Sequence, residues 1–370
     1  MDLPIPSLKS AALRGGVVLL SALALTLHAG SQTLTSFDDP NAYTLGGLGT
    51  EPTGINVWGA VTGVIADKAG RLRGFVRSPS GQFVDYDAPA ADPVVGCTCP
   101  VAINDFGIIA GWAVDGNYID HGFLRYPSGT SVTIDAPGAT YGTRIQSIND
   151  LGVITGTWVD SQEVTHGFLR TLDGRFTSFD APYAGDDGLD GEGTFALSIN
   201  NFGVIAGYAK DSNGLNHGFL RTAQGKFTTF DVPNAIGNLL YNAFVNDRGI
   251  VAGTWIDEHS DECPCDIEAG FQRARDGAFS GYEGPYGPLQ NVQVYGLNFE
   301  GTAVGWYADT NDDAHAFVRY ANGRFLKINV TSELESVGSA INATGVVTGF
   351  WIDANGAYHG FLWSPKLSIQ

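Results

Sequence analysis

The chain has 370 residues, of which 39 are acidic and 20 are basic, so its formal net charge is −19. Such an acidic surface repels the phosphate backbone of nucleic acids and anionic membrane surfaces, which excludes both as expected partners. The 50 glycines, 16 prolines and single methionine indicate many turns and few long helices. Hydrophobic residues make up 44%, which is enough to build a large core.

The first 31 residues have the features of a secretory signal peptide. Lys9 and Arg14 supply positive charge, and residues 15–27 form an apolar stretch that is too short to span a bilayer comfortably. We therefore predict a signal peptide over residues 1–31, cleaved near Ser31, with an uncleaved anchor as the alternative. The mature protein is expected to be secreted, to an extracellular or periplasmic location, without inserting into the membrane.

One motif repeats through the rest of the chain at intervals of 44 to 52 residues. Each copy opens with Asn, which is followed by Gly after three and after seven residues and by Asp after eleven. An Asn that caps a turn and a Gly that accepts positive φ are typical of a hairpin. The seven anchoring residues are Asn56, Asn104, Asn149, Asn200, Asn246, Asn298 and Asn342.

Five copies carry His six residues after the repeated Asp, and the other two have Arg73 and Ala269 at the equivalent position. A carboxylate beside an imidazole can orient it for chemistry or help to bind a metal. A single active site needs only one such pair, so repetition favours a structural hydrogen bond in each copy. The five pairs are Asp115 and His121, Asp160 and His166, Asp211 and His217, Asp309 and His315, and Asp353 and His359.

Each repeat contains four short strand candidates, which is the pattern of a β-propeller blade. The last copy lacks a clear fourth strand, and residues 33–38 near the start of the mature chain supply a matching segment. The sequence therefore predicts an all-β, seven-bladed β-propeller of four-stranded blades over residues 32–370. The N-terminal strand is expected to join the C-terminal blade and close the ring, which leaves no exposed edge. We expect a monomer.

The segments HGFLR and HAFVR, together with the Asn-x-x-Gly turns, resemble the HAF repeat of extracellular bacterial proteins. His-Ala-Phe itself occurs at residues 315–317. The resemblance covers nearly the whole mature chain. It implies export and a propeller-like repeat, and it implies no particular activity or catalytic residue.

Antiparallel alternation places the Asp/His turns and the links between blades on one electronegative face. Two loops on this face break the repeat. In the first, Asp186, Asp187, Asp190 and Glu192 offer hard oxygen ligands that suit Ca²⁺, and a flexible acidic loop is the alternative. No cofactor is required by the sequence, and calcium is the one that it suggests.

The second irregular loop carries Cys263 and Cys265, and a link between blades carries Cys97 and Cys99. Export favours disulfides over a zinc site. The four cysteines allow three pairings, so the connectivity stays open. Local Cys-x-Cys bonds are favoured because the two loops lie on opposite sides of the predicted ring.

Aromatic residues cluster just before the repeated Asp. Aromatic faces near carboxylates suit the binding of sugars or cations, and packing between blades is the alternative. The candidate ligand-binding residues are Trp112, Trp158, Trp255, Trp306 and Trp351.

These patterns favour a secreted binding or interaction protein over an enzyme. Its ligand is expected to be a carbohydrate, or a peptide or cell-surface partner, bound on the acidic face near the funnel mouth. The first alternative is an exported glycan-active hydrolase or lyase that uses carboxylates on the same face. The second is a purely structural repeat protein. Strict repetition argues against catalysis, because enzymes generally break symmetry at the active site.

Overall fold

The structure is a computed structural model, and it describes residues 32–44, 47–186, 191–233, 235, 239–257, 267–282, 284, 291–330 and 333–365. These residues form 28 β-strands and no α-helix, as the composition predicts. None of the described segments is a helix with the length and apolar character needed to cross a membrane. The predicted signal peptide lies outside the described residues.

The strands fall into seven groups of four, called units 1 to 7 here. In chain order they are β1 (Thr33–Phe37), β2 (Thr50–Ile55), β3 (Val61–Ala66), β4 (Leu72–Arg77), β5 (Phe83–Tyr86), β6 (Thr98–Ile103), β7 (Ile109–Val114), β8 (Asp120–Arg125), β9 (Ser131–Ile134), β10 (Gly142–Ile148), β11 (Ile154–Val159), β12 (Thr165–Arg170), β13 (Phe176–Phe179), β14 (Gly193–Ile199), β15 (Ile205–Lys210), β16 (Asn216–Arg221), β17 (Phe227–Phe230), β18 (Leu239–Val245), β19 (Val251–Asp257), β20 (Ile267–Arg273), β21 (Phe279–Tyr282), β22 (Val292–Leu297), β23 (Ala303–Ala308), β24 (Ala314–Arg319), β25 (Phe325–Lys327), β26 (Glu335–Ile341), β27 (Val347–Ile352) and β28 (Tyr358–Ser364).

Units 1 to 6 each consist of four consecutive strands, from β2–β5 to β22–β25, that pair antiparallel in chain order. Unit 7 has the order β26-β27-β28-β1, because the N-terminal strand pairs with the C-terminal one from Thr33 opposite Ser364 to Phe37 opposite Gly360. No sheet closes on itself among the described strands. Single parallel residue pairs, such as Gly142 with Asp120, join units 2 to 4 into one sheet.

The repeated Asn builds the turn between the first and second strand of each unit. The Asn200 Oδ1 atom accepts hydrogen bonds from the main-chain N–H groups of Phe202 and Val204, and Gly203 has a φ of 72°. The Asn200 Nδ2 atom donates to the main-chain oxygen of Asn246 in the next unit at 2.9 Å. The same donation runs from each anchoring Asn to the next, and Asn342 donates to the main-chain oxygen of Asn56. The seven side chains therefore form a cyclic series of hydrogen bonds.

The core lies between successive units. The repeated Phe of the third strand is at most 1% exposed in all seven units. It packs beneath a second-strand Gly, and a Cβ atom on Gly207 would lie 1.9 Å from the Phe195 oxygen and 2.9 Å from the Phe219 ring. The cluster that holds Phe230, Leu240 and Phe271 shows how neighbouring units share one apolar layer.

The first strands of the units are innermost, because each contacts the first strands of its two neighbours, and β2 contacts both β6 and β26. Strand direction then defines two faces. The Asn face carries the turns that follow the first strands. The Asp/His face carries the turns that follow the second strands and the links from each unit to the next.

Candidate functional site

The His of each Asp/His pair also contacts a third, acidic side chain in the link that leaves the unit. The sequence alone does not predict this contact. The His166 Nε2 atom lies 3.4 Å from Asp160 in the turn, and its Nδ1 atom lies 2.7 Å from Asp180 at the end of the fourth strand. Asp160 also accepts hydrogen bonds from two main-chain N–H groups of its own turn. Each such imidazole therefore ties a turn to the link that leaves the unit. The same three-residue arrangement holds for His121, His217 and His359.

Units 1 and 6 vary this arrangement, whereas unit 5 has Ala269 at the position of the His. In unit 1, the Arg73 guanidinium binds Asp87 with contacts of 2.8 and 3.0 Å. In unit 6, His315 lies 3.1 Å from Asp309 and 3.4 Å from Glu333. Units 1 and 6 therefore keep a contact with the acidic link, which supports the structural interpretation of the repeat.

The pH dependence of one such contact follows from its surroundings. Burial lowers the pKa of His121, but the hydrogen bonds and charges of Asp135 and Asp115 outweigh burial and raise it above 6.5. This contribution to stability is fully present below pH 6.5 and is lost as the pH rises through the folded-state pKa. We expect the His121 ring protons to titrate above pH 6.5 in NMR spectra, and Asp135→Asn to lower the midpoint. The control Asp173→Asn should not move it, and an equal shift in both variants would contradict the assignment.

The five predicted tryptophans do not form one cluster. Trp158 and Trp351 stack on the histidines of their own units, with ring centroids 4.4 and 4.3 Å apart. Trp112 instead lies under the Arg144 guanidinium, and the Trp306 Nε1 atom donates to Gln293. Trp255 is only 9% exposed and packs within an apolar cluster. The structure thus distributes these side chains around the units. Trp255 packs in the apolar core between units, which is the alternative to ligand binding that the sequence leaves open for these residues.

A β-bulge interrupts the pairing of every first strand. In unit 5 the pairing moves from Leu240 opposite Trp255 to Asn242 opposite Thr254, which leaves Tyr241 unpaired. Bulges re-aim a side chain and are common beside functional sites. The seven residues left unpaired in this way, called the bulge residues, are Thr53, Val101, Gln146, Leu197, Tyr241, Tyr295 and Ser339.

All seven bulge residues line one cavity of about 520 Å³. Because they come from the innermost strand of each unit, this axial cavity lies at the centre of the molecule, on the side of the Asp/His face. Tyr241 is 58% exposed, and Phe350 and Glu51 complete part of the wall. The volume is in the usual range for a small-molecule site. The bulge residues differ in type from unit to unit, whereas the Asn, Gly and Asp of the repeat are the same in all units. This difference makes the axial cavity the candidate functional site.

The described residues that line the axial cavity combine aromatic and aliphatic side chains with hydroxyl and amide groups and one carboxyl, that of Glu51. Tyr295 donates a hydrogen bond to Gln293, and burial raises the pKa of its phenol, so the phenol stays neutral. Burial also raises the pKa of Glu51, which favours its uncharged form. Thr53 donates to the main-chain oxygen of Pro100 at 2.8 Å. Such a wall suits a neutral polar ligand with apolar faces.

Sequence reasoning missed these residues, although a signal existed. In six units the bulge residue lies three residues before the anchoring Asn, where the copies carry unrelated side chains. In unit 5 the bulge is two residues earlier, at Tyr241, so counting from Asn246 leads to Ala243 instead. The varied position therefore marks the bulge residue in all units except the fifth, where Ala243 still lines the cavity.

The predicted calcium and disulfide residues are only partly described. Asp186 is exposed and Glu192 is 3% exposed, whereas Asp187 and Asp190 lie outside the described residues. Within the described ranges, no group of three or more His, Cys, Asp or Glu side chains is placed to hold a metal ion. The calcium site stays a prediction.

The described cysteines lie close together without a bond. Cys97 and Cys99 are free thiols whose Sγ atoms are 2.7 Å apart. Cys263 and Cys265 lie outside the described residues. The proximity of the first pair is compatible with local pairing, and the disulfide connectivity stays a prediction.

Comparisons with known proteins give similarity in structure alone. No protein-family model and no curated protein matches the chain. Virginiamycin B lyase from Staphylococcus aureus matches with a TM-score of 0.56 and 13% identity over 90% of this chain and 99% of that chain. The β-propeller domain of the Trilobed protease from Pyrococcus furiosus matches with a TM-score of 0.52 and 10% identity over 90% and 94%. The BP39L lectin from Burkholderia pseudomallei matches with a TM-score of 0.51 and 10% identity over 92% and 99%. The chain therefore has an all-β fold of the β-propeller type.

Proposed function

We propose that this chain is an exported β-propeller of the HAF-repeat type that binds a neutral carbohydrate in its axial cavity. The observation that carries the proposal is the set of seven bulge residues, which replaces the strict repeat with varied aromatic, aliphatic and polar side chains around one cavity. Sugars present apolar faces and hydroxyl groups, which match tyrosine rings and uncharged amide and hydroxyl groups. A lectin is among the proteins that share the fold.

The proposed architecture is a closed ring of seven four-stranded blades. Three observations support closure. The anchoring asparagines form a cyclic series of hydrogen bonds that returns from Asn342 to Asn56. The first strand of unit 1 contacts the first strand of unit 7. The N-terminal strand pairs with β28 and so links the two ends of the described chain.

The binding proposal is tested with a glycan array probed by the purified protein, with and without calcium. We expect binding to neutral oligosaccharides, and we expect Tyr241→Ala to weaken it at least about tenfold, equivalent to about 1.4 kcal/mol. Tyr241 is 58% exposed, so its loss should leave the melting temperature unchanged. Tyr141→Ala is the matched control, because Tyr141 is also exposed and does not line the cavity. Equal binding by both variants would place the site elsewhere.

A glycan-active enzyme remains the second candidate, because Glu51 in the cavity wall has a raised pKa and a protonated carboxyl can act as a general acid. Release of oligosaccharide fragments from an array-positive glycan, abolished by Glu51→Gln, would favour a hydrolase or lyase. Unchanged glycan together with undiminished binding by Glu51→Gln would favour the binding protein.

A further inference from the structure

Four consecutive units present a large apolar side chain at the tip of the Asn face. The residues lie two positions after the anchoring Asn of units 1 to 4, at the outermost point of the turn. They are called the apolar crown and are Trp58, Phe106, Leu151 and Phe202, which are 71%, 69%, 64% and 70% exposed. Exposed apolar patches mark interaction surfaces on soluble proteins, and these four side chains lie on adjacent units of one face.

The fold does not require apolar residues at these tips. The equivalent positions in units 5 to 7 are Arg248, Glu300 and Thr344. Arg248 forms a 2.8 Å ion pair with Glu300 and covers the ring of Phe299 at 4.5 Å. The side of the Asn face formed by units 5 to 7 is therefore polar, and its charged side chains pair with each other. The side chains of the apolar crown, in contrast, are exposed to solvent. This asymmetry is not a property of the repeat.

The apolar crown borders an acidic axial opening of about 270 Å³ on the Asn face. The residue after the anchoring Asn is acidic or amide-bearing in units 2 to 5. These residues are hydrogen-bonded in series, and the Asn201 Nδ2 atom donates to both Asp150 and Asp247 at 3.0 Å. Asp105, Asp150 and Asp247 are among the described residues that line the opening, and those residues include no Lys, Arg or His. Burial, together with the charge of Asp150, raises the pKa of Asp105.

We propose that the Asn face docks a basic segment of a partner protein, with a lysine or arginine side chain in the axial opening and large apolar neighbours against the apolar crown. Charge complementarity selects this occupant, since a cation in the opening would face the carboxylates of Asp105, Asp150 and Asp247. A second copy would bring two acidic openings together in a chain of net charge −19. The proposal concerns the face opposite the carbohydrate cavity and does not depend on it.

The test is selection of phage-displayed random dodecapeptides on the immobilised protein, followed by fluorescence anisotropy with the selected peptides. We expect enriched sequences to place Lys or Arg beside Leu, Phe or Trp, and binding to weaken as salt is raised. A crown variant, Phe106→Ser with Phe202→Ser, and a charge variant, Asp150→Asn with Asp247→Asn, should each lose at least about tenfold in affinity. Asparagine fits these positions, since Asn201 occupies the equivalent one.

Val94→Ser is the control for surface apolarity, because Val94 is 80% exposed and lies in a link on the Asp/His face. Its affinity for the peptides should equal that of the unaltered protein, and thermal melts establish that all variants are folded. Enrichment of peptides without a basic residue, or equal binding by the crown variant, would overturn the proposal. So would a dimer in sedimentation that the crown variant dissociates, or crown-dependent binding to phosphatidylcholine vesicles.

Discussion

Replacing Asn200 with alanine is expected to lower the free energy of unfolding by about 3 kcal/mol or more. Asn200 is 5% exposed, and its side chain makes three hydrogen bonds to main-chain groups. The substitution removes the only side-chain acceptor of two part-buried N–H groups of its own turn, and it removes one of the two donors to the carbonyl of Asn246, which keeps its bond from the Gly249 N–H. Each unsatisfied buried group costs about 1–3 kcal/mol, so the losses accumulate. Urea denaturation followed by intrinsic fluorescence measures the change.

Two further variants separate the causes. Asn200→Asp retains the acceptor of the turn and replaces the donor to Asn246 with a carboxyl oxygen, so it tests the contact between units together with the burial of an ionisable group. Asn213→Ala removes an exposed asparagine from an Asp/His turn and should change stability by about 0.5 kcal/mol or less. A loss at Asn200 no larger than the loss at Asn213 would show that the cyclic hydrogen bonds do not hold the units together.

Deleting residues 33–37 is expected to destabilise the protein by at least about 3 kcal/mol and to promote association. The deletion removes a strand that pairs with β28 over five residues, and it removes Phe37, whose burial contributes about 1.5–3 kcal/mol. It also takes away Ser36, which accepts a hydrogen bond from the Trp351 Nε1 atom. The uncovered edge of β28 offers unpaired main-chain groups to other chains. Thermal melts and size-exclusion chromatography measure both effects.

Addition of a synthetic peptide of residues 32–40 should restore the melting temperature of the deletion variant, because the peptide can fill the vacant edge. A scrambled peptide of the same composition is the control. If the deletion variant melts like the unaltered protein, or if the scrambled peptide restores it equally, the N-terminal strand does not complete unit 7.

The repeat predicted the turns well, because the chemistry of a turn is local. An Asn that accepts from its own turn and a Gly at positive φ need no information from elsewhere in the chain, and Asn200 with Gly203 form such a turn in the structure. The link between each His and the end of a fourth strand could not be predicted in this way. His166 and Asp180 are fourteen residues apart, and their contact depends on how the third strand pairs with the fourth.

The axial cavity shows the limit of a periodic pattern. A bulge changes which side chain faces the axis, and the sequence does not specify where the pairing shifts. Tyr241 reaches the cavity only because the shift in β18 falls two residues earlier than in the other first strands. The tryptophans could have been separated from the sequence alone. Trp112 lies eight residues after its Asn and Trp158 nine, so they point to opposite faces of their strands.

The most direct test of the binding site is a crystal structure of the protein soaked with an oligosaccharide identified on the glycan array. We predict a sugar ring in the axial cavity, in contact with Tyr241 and Tyr295 and hydrogen-bonded to Gln146 or Ser339. An oligosaccharide bound at the Asp/His turns or at the outer strands, with the axial cavity empty, would contradict the account.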